Sequence, residues 1–325
     1  MVGTGSSDSG AAARILENVL ANVKKVIVGK DRQVRDVLSC WMAGGHILIE
    51  DVPGTGKTIL ARAVAKSVNV IFQRVQFTPD LLPSDILGAS IFRQDTNTFE
   101  LHRGPIFTTL LLGDEINRAT PRTQSALLEA MSEGQVSIDG TTHALDRLFF
   151  AIATQNPVDQ LGTFPLPEAQ LDRFMMKISM GYPTAVEEIE MIKNQNRAHP
   201  IHALTAVESQ ERLSWVQDQV KNVAISDEIY SYIGSLITKT RHEPEVRVGA
   251  SPRAAIALSR ASQASALFDG QDFVSAGHVF NLIKPVLSHR LILNAEAKLA
   301  GRTQIDVLNS IIEKTPAPLR KNDSH

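Results

Sequence analysis

The chain has 325 residues, a formal net charge of −2 and a single cysteine. This length exceeds one typical domain and leaves room for a large core. Cys40 alone excludes an internal disulfide, and without any Lys/Arg block the chain lacks the electrostatic footprint of a nucleic-acid binder.

No apolar stretch approaches the ~18 residues of a membrane span. Residues 1–13 are Gly/Ser/Ala-rich, unlike a signal peptide, and are expected to be a flexible tail ahead of the first domain. A reducing, cytoplasmic setting fits these features. Trp41 and Met42 beside Cys40 suggest core packing rather than a reactive thiol.

His46-Ile47-Leu48-Ile49 reads as a buried strand, and Glu50-Asp51-Val52-Pro53-Gly54-Thr55-Gly56-Lys57-Thr58 follows it as a phosphate-cradling loop. Gly54 and Gly56 let the backbone turn its N–H groups onto an anion. Thr58 is expected to open a helix, whose N-terminus favours phosphate; Ile59, Leu60, Ala63, Val64 and Val68 recur at helical spacing. Lys57 would reach the β/γ-phosphates and the Thr58 hydroxyl would hold Mg²⁺. Asp51 stands where the generic loop has its first Gly, which predicts a modest cost in loop geometry.

Thr109-Leu110-Leu111-Leu112-Gly113 reads as a second buried strand, delivering Asp114 and Glu115 to its carboxyl end. Asp114 would serve Mg²⁺ from its outer shell, and Glu115 would orient and activate the attacking water. An apolar run followed by two acids is commonplace by itself. Its coupling to Lys57 and Thr58 gives it meaning.

Candidate strands fall at 46–50, 70–77, 109–113, 148–154 and 175–179, alternating with helical segments as in a helix-covered parallel sheet. Two hairpins interrupt the alternation. Residues 89–93 and 99–103 flank Asp95-Thr96-Asn97, and residues 135–138 face 142–145 across Asp139-Gly140, a strong hairpin turn. After Tyr182-Pro183 the pattern becomes helix after helix. Ser251-Pro252 begins one with a favoured N-cap and a Pro suited to the first turn. His199 and His202 read as solvated loop histidines, with no cysteine or carboxylate at zinc spacing in the sequence.

With these motifs the chain resembles an AAA+ ATPase, and more narrowly the MoxR family. The resemblance runs from about residue 14 to 312. It rests on Val26-Ile27-Val28-Gly29-Lys30, the loop Ile49 to Thr58 (Walker A), Gly104-Pro105-Ile106-Phe107, Gly113-Asp114-Glu115-Ile116-Asn117-Arg118-Ala119 (Walker B), Ala153-Thr154-Gln155-Asn156-Pro157 and residues 166–174, which read LPEAQLDRF. The resemblance makes Asp51 a family trait. It implies a P-loop AAA+ α/β core with β-hairpin inserts over 14–183, a smaller all-helical lid over 184–314, and a tail over 315–325.

It also implies roles for particular residues. Val28 and Gly29 would contact adenine, and Pro53, Gly54, Thr55, Gly56, Lys57, Thr58 and Ile59 would hold ATP. Asn156 is similar to the sensor that positions the water. Arg173 resembles an arginine finger donated to a neighbouring subunit. Arg253 resembles a second sensor, folding the lid over the γ-phosphate. A planar guanidinium suits both positions, because it binds phosphoryl oxygens bidentately.

The expected activity is Mg²⁺-dependent ATP hydrolysis by a homo-oligomeric ring, hexameric by the resemblance, that remodels or matures protein clients in a chaperone-like way. Von Willebrand factor A-domain proteins are among the partners the resemblance implies. A DNA-dependent motor is the alternative, since helicase loaders and minichromosome-maintenance proteins share the hairpin inserts; bulk acidity weighs against it. A nucleotide-gated scaffold without turnover would have no need of Glu115 or Asn156.

Overall fold

Five parallel strands form the central sheet of the computed structural model, which describes residues 5–157, 162–195 and 200–318. Helices α1 (Gly5–Lys24) and α2 (Asp31–Met42) precede β1 (Ile47–Glu50), α3 (Lys57–Ser67), β2 (Phe72–Gln76) and the short α4 (Pro83–Leu87). A hairpin of β3 (Gly88–Arg93) and β4 (Thr98–Arg103) leads to β5 (Leu110–Asp114) and α5 (Pro121–Glu133). Then come the hairpin β6 (Gln135–Ile138) and β7 (Thr141–Ala144), β8 (Phe150–Gln155), α6 (Glu168–Leu171) and β9 (Met176–Ile178). The remainder is mostly helical: α7 (Ala185–Gln195), α8 (Gln210–Val220), α9 (Asp227–His242), α10 (Pro252–Phe268), α11 (Ala276–Leu287), α12 (Ala295–Leu299) and α13 (Gln304–Glu313).

The sheet runs in the order β2-β5-β8-β1-β9. Because neighbouring strands are parallel, their carboxyl ends share one edge, and the segments after β1, β5 and β8 emerge together there. Alternation across β1 divides the core. Ile47 and Ile49 face a cluster that includes α1, α2, α3 and the C-terminal helices, whereas Leu48 faces the other cluster, with Leu127, Leu128 and Met131 of α5. Trp41 stacks on Phe150 with centroids 5.4 Å apart and donates its indole N–H to Leu148 O at 2.8 Å, which locks α2 onto the sheet. Cys40 is buried in that packing, and burial pushes its thiol up.

All five expected strands are present, each shorter than its expected run except β5, and both β5 and β8 end one residue further along at the carboxyl end. Both hairpins are present too. At the second, Asp139 and Gly140 have φ of 48° and 79°, both positive, as a two-residue turn that matches strand twist requires.

Three expectations need correction. The supposed tail over 1–13 is helical from Gly5 onward, and Ala12, Leu16, Val19 and Val23 recur at helical spacing as buried contacts of α1. The second unit is not wholly helical: β10 (Val246–Val248) and β11 (Ile292–Leu293) form a short antiparallel ladder. Finally, Thr315, placed in the C-terminal tail, is buried and donates to Ile311 O at 2.6 Å, continuing the packing of α13. His202 is exposed, ending a short 3-10 turn, while His199 lies outside the described residues.

Candidate active site

The phosphate loop leaves β1 and returns into α3, which starts at Lys57, one residue earlier than expected, with Gly56 as its N-cap. Gly54 and Gly56 both have φ of +85°, a conformation open to glycine and strained for other residues. The resulting turn aims backbone N–H groups and the positive end of α3 into one cavity. Asp51 is no defect here. Its carboxylate accepts from Val52 N at 2.9 Å, Ser179 Oγ at 3.2 Å and Gly181 N at 2.7 Å, which ties the root of the loop to the segment leaving β9.

A cavity of about 310 Å³ opens at this point, lined by Pro53, Gly54, Thr55, Gly56, Lys57, Thr58, Ile59, Asp114, Glu115, Thr154, Gln155 and Asn156. Lys57 folds back over the loop, donating to Asp51 O at 2.9 Å and Val52 O at 2.8 Å. Partial burial lowers its pKa, and Asp51, Asp114 and Glu115 oppose that shift. Its ammonium therefore has acidic neighbours on one side and loop carbonyls on the other.

Thr154 organises the two acids. Its hydroxyl donates to Asp114 Oδ1 at 2.6 Å and accepts from the backbone N–H of Glu115 at 2.8 Å. Glu115 has φ of 57° and ψ of 51°, a left-handed conformation that breaks β5 and turns its side chain sideways. The Glu115 carboxylate then accepts from Gln76 Nε2 at 2.9 Å and Arg118 Nη1 at 3.0 Å. Asp114 pairs with Arg74, whose Nη2 lies 2.7 Å from Oδ2.

Thr58 and Asp114 present hard oxygen donors to the same cavity, a set that fits Mg²⁺. Among the described residues no cluster of three or more His, Cys, Asp or Glu could hold a metal. A cation at Thr58 and Asp114 would therefore need oxygens from a bound phosphate to complete its shell.

A second, more apolar cavity of about 90 Å³ adjoins the first, lined by Val26, Ile27, Val28, Ile59, Met180, Pro183, Met191 and Pro200 together with loop residues. Its walls suit a flat heteroaromatic base. Gly29 has φ of +71°, and a Cβ added there would fall 1.6 Å from Glu187 Oε1 of α7. The Glu187 side chain could swing aside, so it is the positive φ that favours glycine here.

Arg173 and Arg253 lie elsewhere. Together with Gly45, His46, Arg260 and Arg290 they line a separate cavity of about 200 Å³. Arg173 lies just before β9 and Gly45-His46 just before β1, so this cavity is at the amino ends of the parallel strands, while the phosphate loop is at their carboxyl ends. The expectation that Arg253 covers the phosphate of its own loop is not met in this arrangement. Arg253 stands beside Arg173 instead, because α10 packs against α1 and α2 behind the sheet.

Sequence reasoning missed Arg74, Gln76, Thr154 and Arg118. A usable signal existed for two of them: Arg74 and Gln76 occupy alternate positions of an apolar-flanked strand, hence one face. Which acids that face meets depends on the pairing Gln76↔Asp114, which no local pattern reveals.

The geometry agrees with the comparisons to known proteins. The family described as ATPase family associated with various cellular activities (AAA) matches residues 46–176, and an AAA lid domain matches 238–311. The chaperone MoxR1 of Mycobacterium tuberculosis is 38% identical over 97% of this chain and 85% of its own length. YeaC of Bacillus subtilis, an uncharacterised protein, is 45% identical over 95% of this chain and 96% of its own. A crystal structure of a protein from Cytophaga hutchinsonii assigned as an ATPase superposes with a TM-score of 0.90 at 38% identity, covering 96% of this chain and 98% of that one. With its loop, acid pair and helical second unit in this arrangement, the chain belongs to the MoxR family of AAA+ ATPases.

Proposed function

We propose that this ATPase requires Mg²⁺, assembles head to tail into a ring, and uses its hydrolysis cycle to remodel or mature protein partners. The observation that carries the ring is the separation of the site from its arginines. Lys57, Thr58, Asp114, Glu115 and Asn156 share one cavity, whereas Arg173 and Arg253 share another at the opposite end of the strands. Even a short strand separates its two ends by roughly 10 Å or more. A phosphate held by the loop is then served by the arginines of a second copy. Closed head-to-tail contacts make rings, and a hexamer is the stoichiometry we propose.

Within one copy, the loop amides, the N-terminus of α3 and Lys57 bind the phosphates of ATP. Thr58 and Asp114 hold Mg²⁺, which supplies charge neutralisation on the phosphoryl oxygens. Glu115 orients the attacking water and takes its proton, and Asn156 positions that water. Val28 and Gly29 border the base. The partner class follows from MoxR1, which is named a chaperone. Proteins carrying von Willebrand factor A domains are the first partners to try.

The test is subunit mixing. Arg173→Ala and Glu115→Gln are each expected to be nearly inactive, because an arginine finger is worth ~10³–10⁵ in turnover. After random exchange of equal amounts, about one interface in four pairs an intact Glu115 with an intact Arg173. ATPase activity should reappear. Continued inactivity with subunit exchange demonstrated would remove the shared site.

A further inference from the structure

Arg290 sits in the turn that follows α11, and its side chain is only 2% exposed. A guanidinium has five N–H donors, and here each finds an acceptor. Nε donates to Asp172 Oδ1 at 2.6 Å; Nη1 donates to Met175 O at 3.0 Å and to Val286 O; Nη2 donates to Asp172 O at 3.3 Å and Phe174 O at 2.8 Å. Only the bond to Val286 stays within the helical unit. The others fall on residues 172–175, the segment that carries Arg173. His289, kept neutral by burial, adds a bond from Nε2 to Phe174 O at 3.0 Å.

The same carboxylate reaches the helix that carries the other arginine. Asp172 Oδ2 accepts from Ser251 Oγ at 3.1 Å, and Ser251 is the N-cap of α10, two residues before Arg253. One carboxylate therefore joins the turn bearing Arg290, the segment bearing Arg173 and the helix bearing Arg253. The segment is pinned at its far end as well, because Met175 N donates to His46 O at 2.8 Å and Met176 pairs with Ile47 of β1.

A buried ion pair is weak evidence for stability, since apolar residues of the same volume often do as well. What a five-donor fork adds is geometric: it fixes a backbone segment against another element in one register. We propose that Arg290 is a positioning residue for the shared active site. It fastens the Asp172–Met175 segment to the helical unit, so that Arg173 and Arg253 face the next copy as one surface. This rests on the reading that Arg173 acts on a neighbouring copy.

Arg290→Lys keeps the charge and loses the fork; Asp172→Asn keeps the shape and loses the carboxylate. Each is purified as the full chain, checked for a cooperative thermal transition and for binding of a non-hydrolysable ATP analogue, and mixed in equal amounts with Glu115→Gln or with Arg173→Ala. We expect kcat to fall at least tenfold with KM for ATP within twofold of the parent. Mixing with Glu115→Gln should restore turnover to the level of the Arg173→Ala and Glu115→Gln reference pair, because the Arg290 variant still supplies a working Glu115. Mixing with Arg173→Ala should restore nothing, both lesions lying on the same side of the interface.

Rescue by Arg173→Ala, rescue by neither, or undiminished kcat would each overturn the proposal. So would failure of both variants to fold, which would make the clamp a folding element. A silent reference pair would instead overturn the shared site itself, and it is recognised without any Arg290 variant.

Discussion

Gln76 holds the Glu115 carboxylate, donating from its side-chain amide to Oε2 at 2.9 Å. Its own amide oxygen accepts from Arg74 Nη2 at 2.7 Å, and that same guanidinium pairs with Asp114. Arg74 thus touches one acid directly and the other through Gln76. The arrangement keeps Glu115 engaged with β2 rather than free for a water molecule. Gln76→Leu should leave the carboxylate with Arg118 alone and raise basal kcat about twofold to twelvefold, the range of a single hydrogen bond of ~0.5–1.5 kcal/mol. ATP affinity should stay unchanged. A fall in kcat with normal binding would mean that the amide aims the carboxylate instead.

Lys57 and Glu115 divide ground-state binding from chemistry. Lys57 contacts phosphate charge present before reaction, whereas Glu115 acts on the water. Lys57→Ala should lose tight ATP binding, while Glu115→Gln should bind ATP as the parent does and turn it over at least 10²-fold more slowly. Equilibrium binding of a fluorescent ATP analogue to both variants is the measurement. Equal loss of affinity in the two would refute this division.

Two buried groups give opposite pH dependences. His46 donates from Nε2 to Met131 O at 2.9 Å and accepts at Nδ1 from Ala151 N at 3.0 Å, and burial lowers its pKa from 6.5 to about 4. The unfolded chain binds more protons across that window. Stability from neutral His46 is therefore complete above pH 6.5 and is lost as pH falls toward 4. Burial raises Asp36 from 3.8 to about 6 in spite of Arg32 and Arg35. Here the folded chain binds more protons, so the contribution is complete below about 3.8 and is lost as pH rises through 6. Asp36→Asn should thus stabilise the protein at pH 7.5 by up to about 3 kcal/mol, at ~1.4 kcal/mol per unit, with the gain vanishing near pH 4. Urea unfolding at pH 7.5, 5.5 and 4.5 checks it, and a gain independent of pH would refute it.

The first hairpin carries more than its polar tip. Phe92 and Phe99 face each other across β3 and β4 with centroids 5.3 Å apart, and Phe99 is 74% exposed. An exposed aromatic pair contributes little to a sheet's own stability, typically ~1 kcal/mol or less. Phe99→Ala should therefore leave the unfolding midpoint and basal ATPase nearly unchanged. Capture of a fluorescent unfolded polypeptide by the ATP-bound Glu115→Gln protein should weaken when Phe99→Ala is added. Undiminished capture in this double variant, and with Asp95, Thr96 and Asn97 all changed to Ala, would remove the hairpin from partner handling.

What the sequence determined by itself was everything encoded in contiguous chemistry. The loop Glu50 to Thr58, the acids Asp114 and Glu115 at the end of an apolar run, and the Asp139-Gly140 turn each specify local backbone geometry through glycine freedom, strand burial or turn type. The order of apolar runs likewise announced a parallel sheet followed by helices. Tertiary structure decided what the residues between these motifs do. Gln76 meets Glu115 because β2 and β5 pair in one register, set by burial of both strands against helices. Ala12 is core rather than tail because α1 finds apolar partners in α3, α8 and α10, far along the chain. Arg253 joins Arg173, and not the phosphate loop, because the packing of α10 behind the sheet places its first turn at the amino ends of the strands. Such contacts join residues far apart in the chain, 39 positions for Gln76 and Glu115 and 118 for Asp172 and Arg290, and their register is fixed by how whole faces bury one another, information that no short window of sequence contains.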